Sequence, residues 1–414
     1  MFDINKADKL FEDYLTPGLE VEIAAESKLY DRLNRTTEGL TLGGKAAKQK
    51  VLIRPSQAAR ASNNSSYPEA QESTPEETIV YLKRALMFAL KFDGLALEAA
   101  AKGGAVEDPI LFEKTGINIT IKNVIARQLM MDGSGRLCQA DGAGSSTKTL
   151  TVDSPYFKNK PTKFLKVGRV IDAYDPADDS HDIDSVKITA VDEENKQVTL
   201  ESAQTWADNC WIYDEDVFNK TEAAGKGEMM GLLGIAYDDN PPTGALQGLD
   251  VSDYPEWKAF RYHNNGTPRD ISEDLILQAL DDVTDYAIPT FMLTTKAVRR
   301  KLFTLLKEYR DYTEKGVMWG GWAGLPFYYD GRIIPIVVDN YVPDGMIIGG
   351  DEKKLTIYSL TKSGIVWEKG ISGQGILKQV AGKNEYTAEG HIFANMGVSQ
   401  RNAFFRIEDI KESY

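Results

Sequence analysis

The sequence predicts an α+β fold rich in strands, on three observations. Short segments that are either apolar or alternate at period two recur along the chain, bounded by Gly, Pro, Asp or Asn. One long helical pattern interrupts them ahead of Gly133. A β-patterned block, residues 146–216, then lies between helical segments as an insertion.

The elements follow in order. Residues 1–40 read as a lightly helical arm, with Leu10, Tyr14, Leu29, Tyr30 and Leu33 as apolar points in a polar background. The next stretch, "GGKAAKQKVLIRPSQAARASNNSSYPEAQESTPEET", is poor in apolar residues except Val51, Leu52 and Ile53. A strand-like run over 79–94 follows it, so residues 41–90 predict a long two-stranded excursion with a polar tip near 60–76. A lone two-stranded ribbon is marginal in water because it buries no face. It therefore predicts a neighbour to lie on, and with it assembly. Lys45, Lys48, Lys50, Arg54 and Arg60 make this stretch basic, with no acid between Lys45 and Arg60. Glu98, Glu107 and Asp108 precede the helix that comes next and are candidate acidic partners for that strip across a contact between copies. The plainer account is a solvated strip, and acids that suit a helix N-terminus.

"EDPILFEKTGINITIKNVIARQLMMDGSG" predicts a helix of about 24 residues, roughly 36 Å long. Ile117, Ile121, Val124 and Gln128 form its stripe, with Ile125 and Leu129 beside it, and Asp132-Gly133 stops it. In the block 146–216, "FLKVGRVIDAYD", "DSVKITAVDEENKQVTLES" and "DNCWIYDED" alternate at period two, with a hairpin turn over 193–196, which predicts a small barrel or sandwich. "SEDLILQALDDVTDY" is a helix capped by Ser272, and "PTFMLTTKAVRRKLFTLLKEYRDY" a strand running into a helix. "GLPFYYDGRIIPIVVD", "GMIIGG", "KLTIYSL" and "GIVWEK" are strands.

The bulk numbers exclude several classes. The chain has 414 residues, 42% hydrophobic and 27% charged, and a formal net charge of −14. Such an acidic surface repels phosphate and argues against a dedicated nucleic-acid binder, but suits a container whose wall must not hold its cargo. Two cysteines, Cys138 and Cys210, fit a reducing compartment. The charged N-terminus has no apolar h-region, and no apolar run is long enough to cross a membrane. "GLTLGGKA" has P-loop spacing, but Ala46 stands where Mg²⁺ needs a hydroxyl. His181, His263 and His391 are isolated, without HExxH, CxxC or GxSxG. "YDPADDSHDID" (174–184) could ligate Ca²⁺ but lacks the Gly-centred loop and reads better as a solvated hairpin tip. No cofactor or metal is expected. Asp339 and Asp344 could serve a hydrolase as a carboxylate pair. Pro343-Asp344-Gly345 is equally turn chemistry, with Pro presetting φ and Gly accepting positive φ.

The order of these parts resembles the major capsid protein of tailed bacteriophages, the Hong Kong 97-type fold, from about residue 40 to 412. "VYLKRALMFALKFDGLALEAAAK", "NVIARQLMMDGSGRL", "NGTPRDISEDLILQALDDV", "YYDGRIIPIVVDNYVPDGMIIGGDEKKLTIYSL" and "ANMGVSQRNAFFRIEDI" carry the resemblance. Each is weakly specific alone; their succession is not. The resemblance implies an N-terminal arm (1–40), an extended loop or E-loop (41–90), and a peripheral domain with its spine helix (91–145). It further implies the β-rich insertion (146–216), a connection (217–270), an axial domain (271–392) and a strand returning to the peripheral domain (393–414). It implies a non-enzymatic shell subunit forming pentamers and hexamers around double-stranded DNA, built in the host cytoplasm. Portal and scaffolding proteins, and in some relatives a decoration protein, would be its partners; no membrane is involved. On that reading Asp339, Pro343, Asp344 and Gly345 are structural. An encapsulin-like compartment shell is the alternative.

Overall fold

In the computed structural model the described residues are 29, 33–38, 40–41, 45–59, 61, 67, 69–70, 72–95, 109–220, 225–305, 317–319, 322–361, 365–368 and 377–412. Arg60, Glu98, Glu107, Asp108 and most of the arm lie outside them.

The chain enters with β1 (Asn34–Thr36), β2 (Leu40–Thr41), β3 (Ala46–Arg54) and β4 (Thr74–Tyr81). β3 and β4 pair antiparallel from Ala46–Tyr81 out to Arg54–Thr74, with β2 on the free edge of β3 near its base. The run over 79–94 is two strands, not one. Leu82 separates β4 from β5 (Lys83–Asp93), and β5 leaves the ribbon. The physical reason is burial. In β5 Ala85, Phe88, Leu90 and Phe92 face a core, and α1 (Pro109–Met130) covers that face. On α1 the most buried positions are Asn118, Ile121, Ile125, Arg127, Gln128, Leu129 and Met130, so the stripe is broader and more polar than Ile117 and Val124 suggest. Gln128 makes this tolerable: its Nε2 donates to Ala85 O at 2.6 Å.

A closed six-stranded barrel follows. β6 (Cys138–Ala140), β7 (Gly144–Asp153), β8 (Val170–Tyr174), β9 (His181–Asp192), β10 (Gln197–Trp206) and β11 (Trp211–Asp214) close in the order β10-β7-β6-β11-β8-β9. Closure leaves no strand edge to template aggregation. Leu150, Val152, Ile171, Ile188, Val198 and Ile212 fill a core separate from the main one. The barrel starts ahead of residue 146, because three residues of β6 are too few to show a period.

The rest builds two sheets. α2 (Leu232–Ile235), β12 (Phe260–Tyr262) and α3 (Glu273–Thr284) come first. Ser272 caps α3, its Oγ accepting from Leu275 N at 3.2 Å. β13 (Phe291–Thr294), α4 (Lys296–Leu305), β14 (Val317–Trp319), β15 (Trp322–Tyr329), β16 (Arg332–Val338) and β17 (Ile347–Gly350) follow. The chain ends in β18 (Leu355–Ser359), β19 (Ile365–Trp367), β20 (Leu377–Gln379), β21 (Glu385–Val398) and β22 (Phe404–Ile407). One sheet runs β12-β22-β17-β13-β16-β15-β14; the other gathers β1, β18, β19, β20 and β5 around β21.

Two placements differ from the division at residue 392. β18 to β21 lie in the sheet of β5, next to α1, and β22 joins the seven-stranded sheet between β12 and β17. β21 is long enough to pair with β5 from Asp93 to Lys83 and with β18 at its far end, so one strand organises the whole sheet.

Candidate assembly surfaces and charged centres

The ribbon carries its cations in two ways. Lys45 and Lys50 are exposed. Lys48 Nζ donates to Glu77 Oε2 at 2.9 Å across the ribbon. Arg54 is held by its own chain: Nε and Nη2 donate to the two oxygens of Glu256 at 3.0 and 3.1 Å, and Nη2 also to Asp253 O at 3.3 Å. This fastens the outer end of β3 to the loop around residue 255. Beyond it, Tyr67 is 95% exposed.

Asp339, Pro343, Asp344 and Gly345 form a junction. Asp339 Oδ1 accepts from Tyr341 N at 2.8 Å, the bond of a tight Asx turn. Asp344 Oδ2 accepts from the backbone and side-chain nitrogens of Asn159 at 3.1 and 3.0 Å, while Asp344 N donates to Tyr156 O at 2.7 Å. Gly345 N donates to Glu412 Oε1 at 3.0 Å, and Ile410 N to Gly345 O at 3.0 Å. The turn thus ties the segment after β7 and the chain's C-terminal residues to the end of β16. Burial pushes the Asp344 carboxyl up, and the Asn159 amide bond opposes it. Both carboxylates are spent on amide donors, which is positioning chemistry. Gly345 has φ of +69°, and a Cβ there would stand 2.5 Å from Ile410 O. Gly345→Ala is therefore expected to cost more than about 1 kcal/mol, from backbone strain plus the clash. Equal urea midpoints for variant and wild type would contradict this.

Two buried charged centres were not legible beforehand. Arg127, 1% exposed, donates to both oxygens of Glu228, and Asp214 stands 3.7 Å away. Asp214 is shared with Arg169. Burial pulls the Arg127 guanidinium down, and Glu228 and Asp214 more than offset it. The network joins α1, the barrel's β11 and the strand-free segment 225–231. Arg401, also 1% exposed, donates to four backbone carbonyls, of Ile235, Trp257, Gly234 and Asp239. An Arg set between Ile125 and the stripe residue Gln128 of α1 was the one available signal for the first; nothing local marks the second.

A groove of about 1850 Å³ runs between the barrel, α1 and α4. Lys160, Lys163 and Lys296 lie close enough to act on one another. Burial lowers the Lys163 ammonium to about 8; Asp344 and Asp339 oppose that, and Lys160 and Lys296 add to it. Lys163 Nζ sits 4.1 Å from the centroid of Phe157 and donates to Asn340 O. On α4, Lys296, Arg299 and Arg300 are exposed.

At the barrel tip, Asp172, His181 and Asp184 bring ligand atoms within 4.8 Å of one another. Asp172 already accepts from Ser185 N at 2.8 Å and Asp216 N at 2.9 Å, which gives it the task of closing strand ends.

No protein-family model matches the chain, and no curated protein sequence matches it. Among solved structures it superposes on a chain of the cyanophage A-1(L) capsid asymmetric unit with a TM-score of 0.52 and 13% identity, over 94% of this chain and 93% of that one. A capsid chain of a native GTA particle (TM-score 0.45, 10% identity, 93% and 90% covered) is also similar. So is a chain of the holo-SrpI encapsulin complex from Synechococcus elongatus PCC 7942 (0.42, 10%, 94% and 90%). Only the first, with a TM-score above 0.5, bears weight, and at 13% identity what it establishes is the fold: this chain has the fold of that phage capsid chain.

Proposed function

We propose, from that phage-capsid fold, that the chain is a major capsid protein, the structural subunit of a self-assembling icosahedral head shell. Subunits would meet in heterologous contacts that close into rings of five and six. The ribbon of β3 and β4 would be the E-loop laid over a neighbour, α1 the spine helix, and the sheet holding β13, β15 and β16 the axial domain. The acidic balance suits a wall that encloses double-stranded DNA without gripping it. Portal, scaffolding and decoration proteins are the further partners expected of such a shell, in a virion assembled in the host cytoplasm.

The ribbon is the observation that carries the reading. One face of its outer part, Val51 and Ile53, packs against the main core, while the other exposes Leu52 at 59%, and Tyr67 further out is 95% exposed. Such an element is stabilised by a neighbour and by repetition over many contacts. Negative-stain microscopy and sedimentation of the full chain should show rings or closed shells. Amide exchange over 41–90 should be slower in them than in the free subunit. A protein that stays monomeric at every concentration, or a ribbon equally protected in both states, would overturn the proposal. Shells that co-purify with an enzyme cargo instead of DNA would favour the encapsulin-like alternative.

A further inference from the structure

Most carboxylates of the stretch 174–184 are spent within the chain. Asp175 accepts from Ala177 N, Asp178 from Ser180 N and Asp182 from Ala207 N, while Asp179 is paired to Lys220. What the fold adds is Asp172, from the strand ahead of the turn. β8 and β9 shift register on both sides of Ala173, so Asp172 stands opposite Asp184 and Ser185 together, and Ser185 takes a φ of +50°. His181 and Asp184 are three apart on β9 and would face opposite ways in a regular strand. The irregular register brings both to Asp172, where the three offer an imidazole nitrogen and two carboxylate oxygens within 4.8 Å of one another.

These three differ from the other acids of the tip in what they lack. Asp172 is 1% exposed, and its two oxygens accept one backbone N–H each, from Ser185 and Asp216, which leaves a lone pair free on both. Asp184 is exposed and takes only the Ser185 hydroxyl, at 3.1 Å. Among the described residues no Lys or Arg pairs with Asp172 or Asp184. A buried carboxylate without a countercharge is costly, and His181 is the one group placed to relieve it. Its Nε2 stands 3.6 Å from Asp172 Oδ1. That is too long for a hydrogen bond, but close to the roughly 3.4 Å between two ligands of a tetrahedral zinc ion. The imidazole is also held in place. It stacks on Tyr174 with centroids 4.3 Å apart and planes 6° from parallel, and Phe218 stacks on the same tyrosine at 4.0 Å. The exposure of His181 and Asp184 leaves the site open to an ion from solvent, with room for water in the fourth position.

We propose that Asp172, His181 and Asp184 bind one divalent transition-metal ion of the Zn²⁺ class, which clamps β8 to β9 at the rim of the barrel. The imidazole selects this class over Ca²⁺ and Mg²⁺, which take oxygen ligands. All three ligands come from one chain, so the site is independent of the shell reading. The full chain, stripped with EDTA and titrated with Zn²⁺ by calorimetry, should bind one ion per subunit. His181→Gln and Asp184→Asn should each weaken binding at least about tenfold. Both positions are exposed, so circular dichroism should show both variants folded. His391→Gln, at the other contact between a histidine and a carboxylate, and His263→Gln should leave the affinity unchanged. Zn²⁺ should slow amide exchange over β8 and β9 in the wild type and not in His181→Gln. An absence of saturable binding, binding that survives in both site variants, or equal competition by Ca²⁺ would overturn the proposal.

Discussion

Arg401→Met is expected to be the most damaging single substitution in the molecule. The guanidinium is enclosed and donates to the carbonyls of Ile235 (3.0 Å), Trp257 (3.2 Å), Gly234 (3.2 Å) and Asp239 (2.6 Å), with no carboxylate among those partners. Its planar fork is what serves several converging carbonyls at once. Methionine fills much of the volume but leaves all four acceptors dry, at about 1–3 kcal/mol each before relaxation. A loss above about 4 kcal/mol is expected, enough to prevent accumulation of a marginally stable fold. Arg401→Lys should be damaging but milder, since an ammonium keeps the charge and can satisfy some of the carbonyls. Burial lowers Arg401 to about 10, with Arg406 adding to it and Asp238 and Asp239 opposing it. Urea unfolding monitored by tryptophan fluorescence measures this, and a Met variant with an unshifted midpoint would refute the clamp.

The second large effect is expected at Arg127 and Glu228. Glu228→Leu leaves a 1% exposed guanidinium with only Asp214, 3.7 Å away and already engaged by Arg169. Breaking one side of a buried pair costs about 3–5 kcal/mol, whereas replacing both sides with apolar residues of similar size is often near neutral. Arg127→Met combined with Glu228→Leu should therefore recover most of what Glu228→Leu loses. The double-mutant cycle is the readout, and simple additivity of the two losses would show that the pair does not act as a unit. Because the network spans α1, β11 and the segment 225–231, Glu228→Leu should also raise amide exchange at the junction of barrel and helix before it does so inside the barrel.

What the residues determined by themselves was local. Period-two alternation gives β8 to β10 their two faces, Ser272 starts α3, and Pro343-Asp344-Gly345 turns the chain where only glycine accepts φ of +69°. These depend on backbone sterics and on neighbours within a few positions, so a sequence states them directly. The strand character of the run over 79–94 was legible too, but not its burial or its division at Leu82, because what separates β4 from β5 is the partner each strand finds. β5 pairs with β21 some three hundred residues later, and nothing in either strand names the other. The Arg127–Glu228 contact spans 101 residues, and the carbonyls around Arg401 come from residues 144 to 167 positions earlier. Lys163, Lys296 and Arg299 read as scattered surface charges until the barrel and α4 come to lie either side of one groove. Coulomb interaction and desolvation depend on distance through space and on the medium between. Folding sets both by bringing together segments that chain order keeps apart, and so the charged centres belong to the tertiary structure alone.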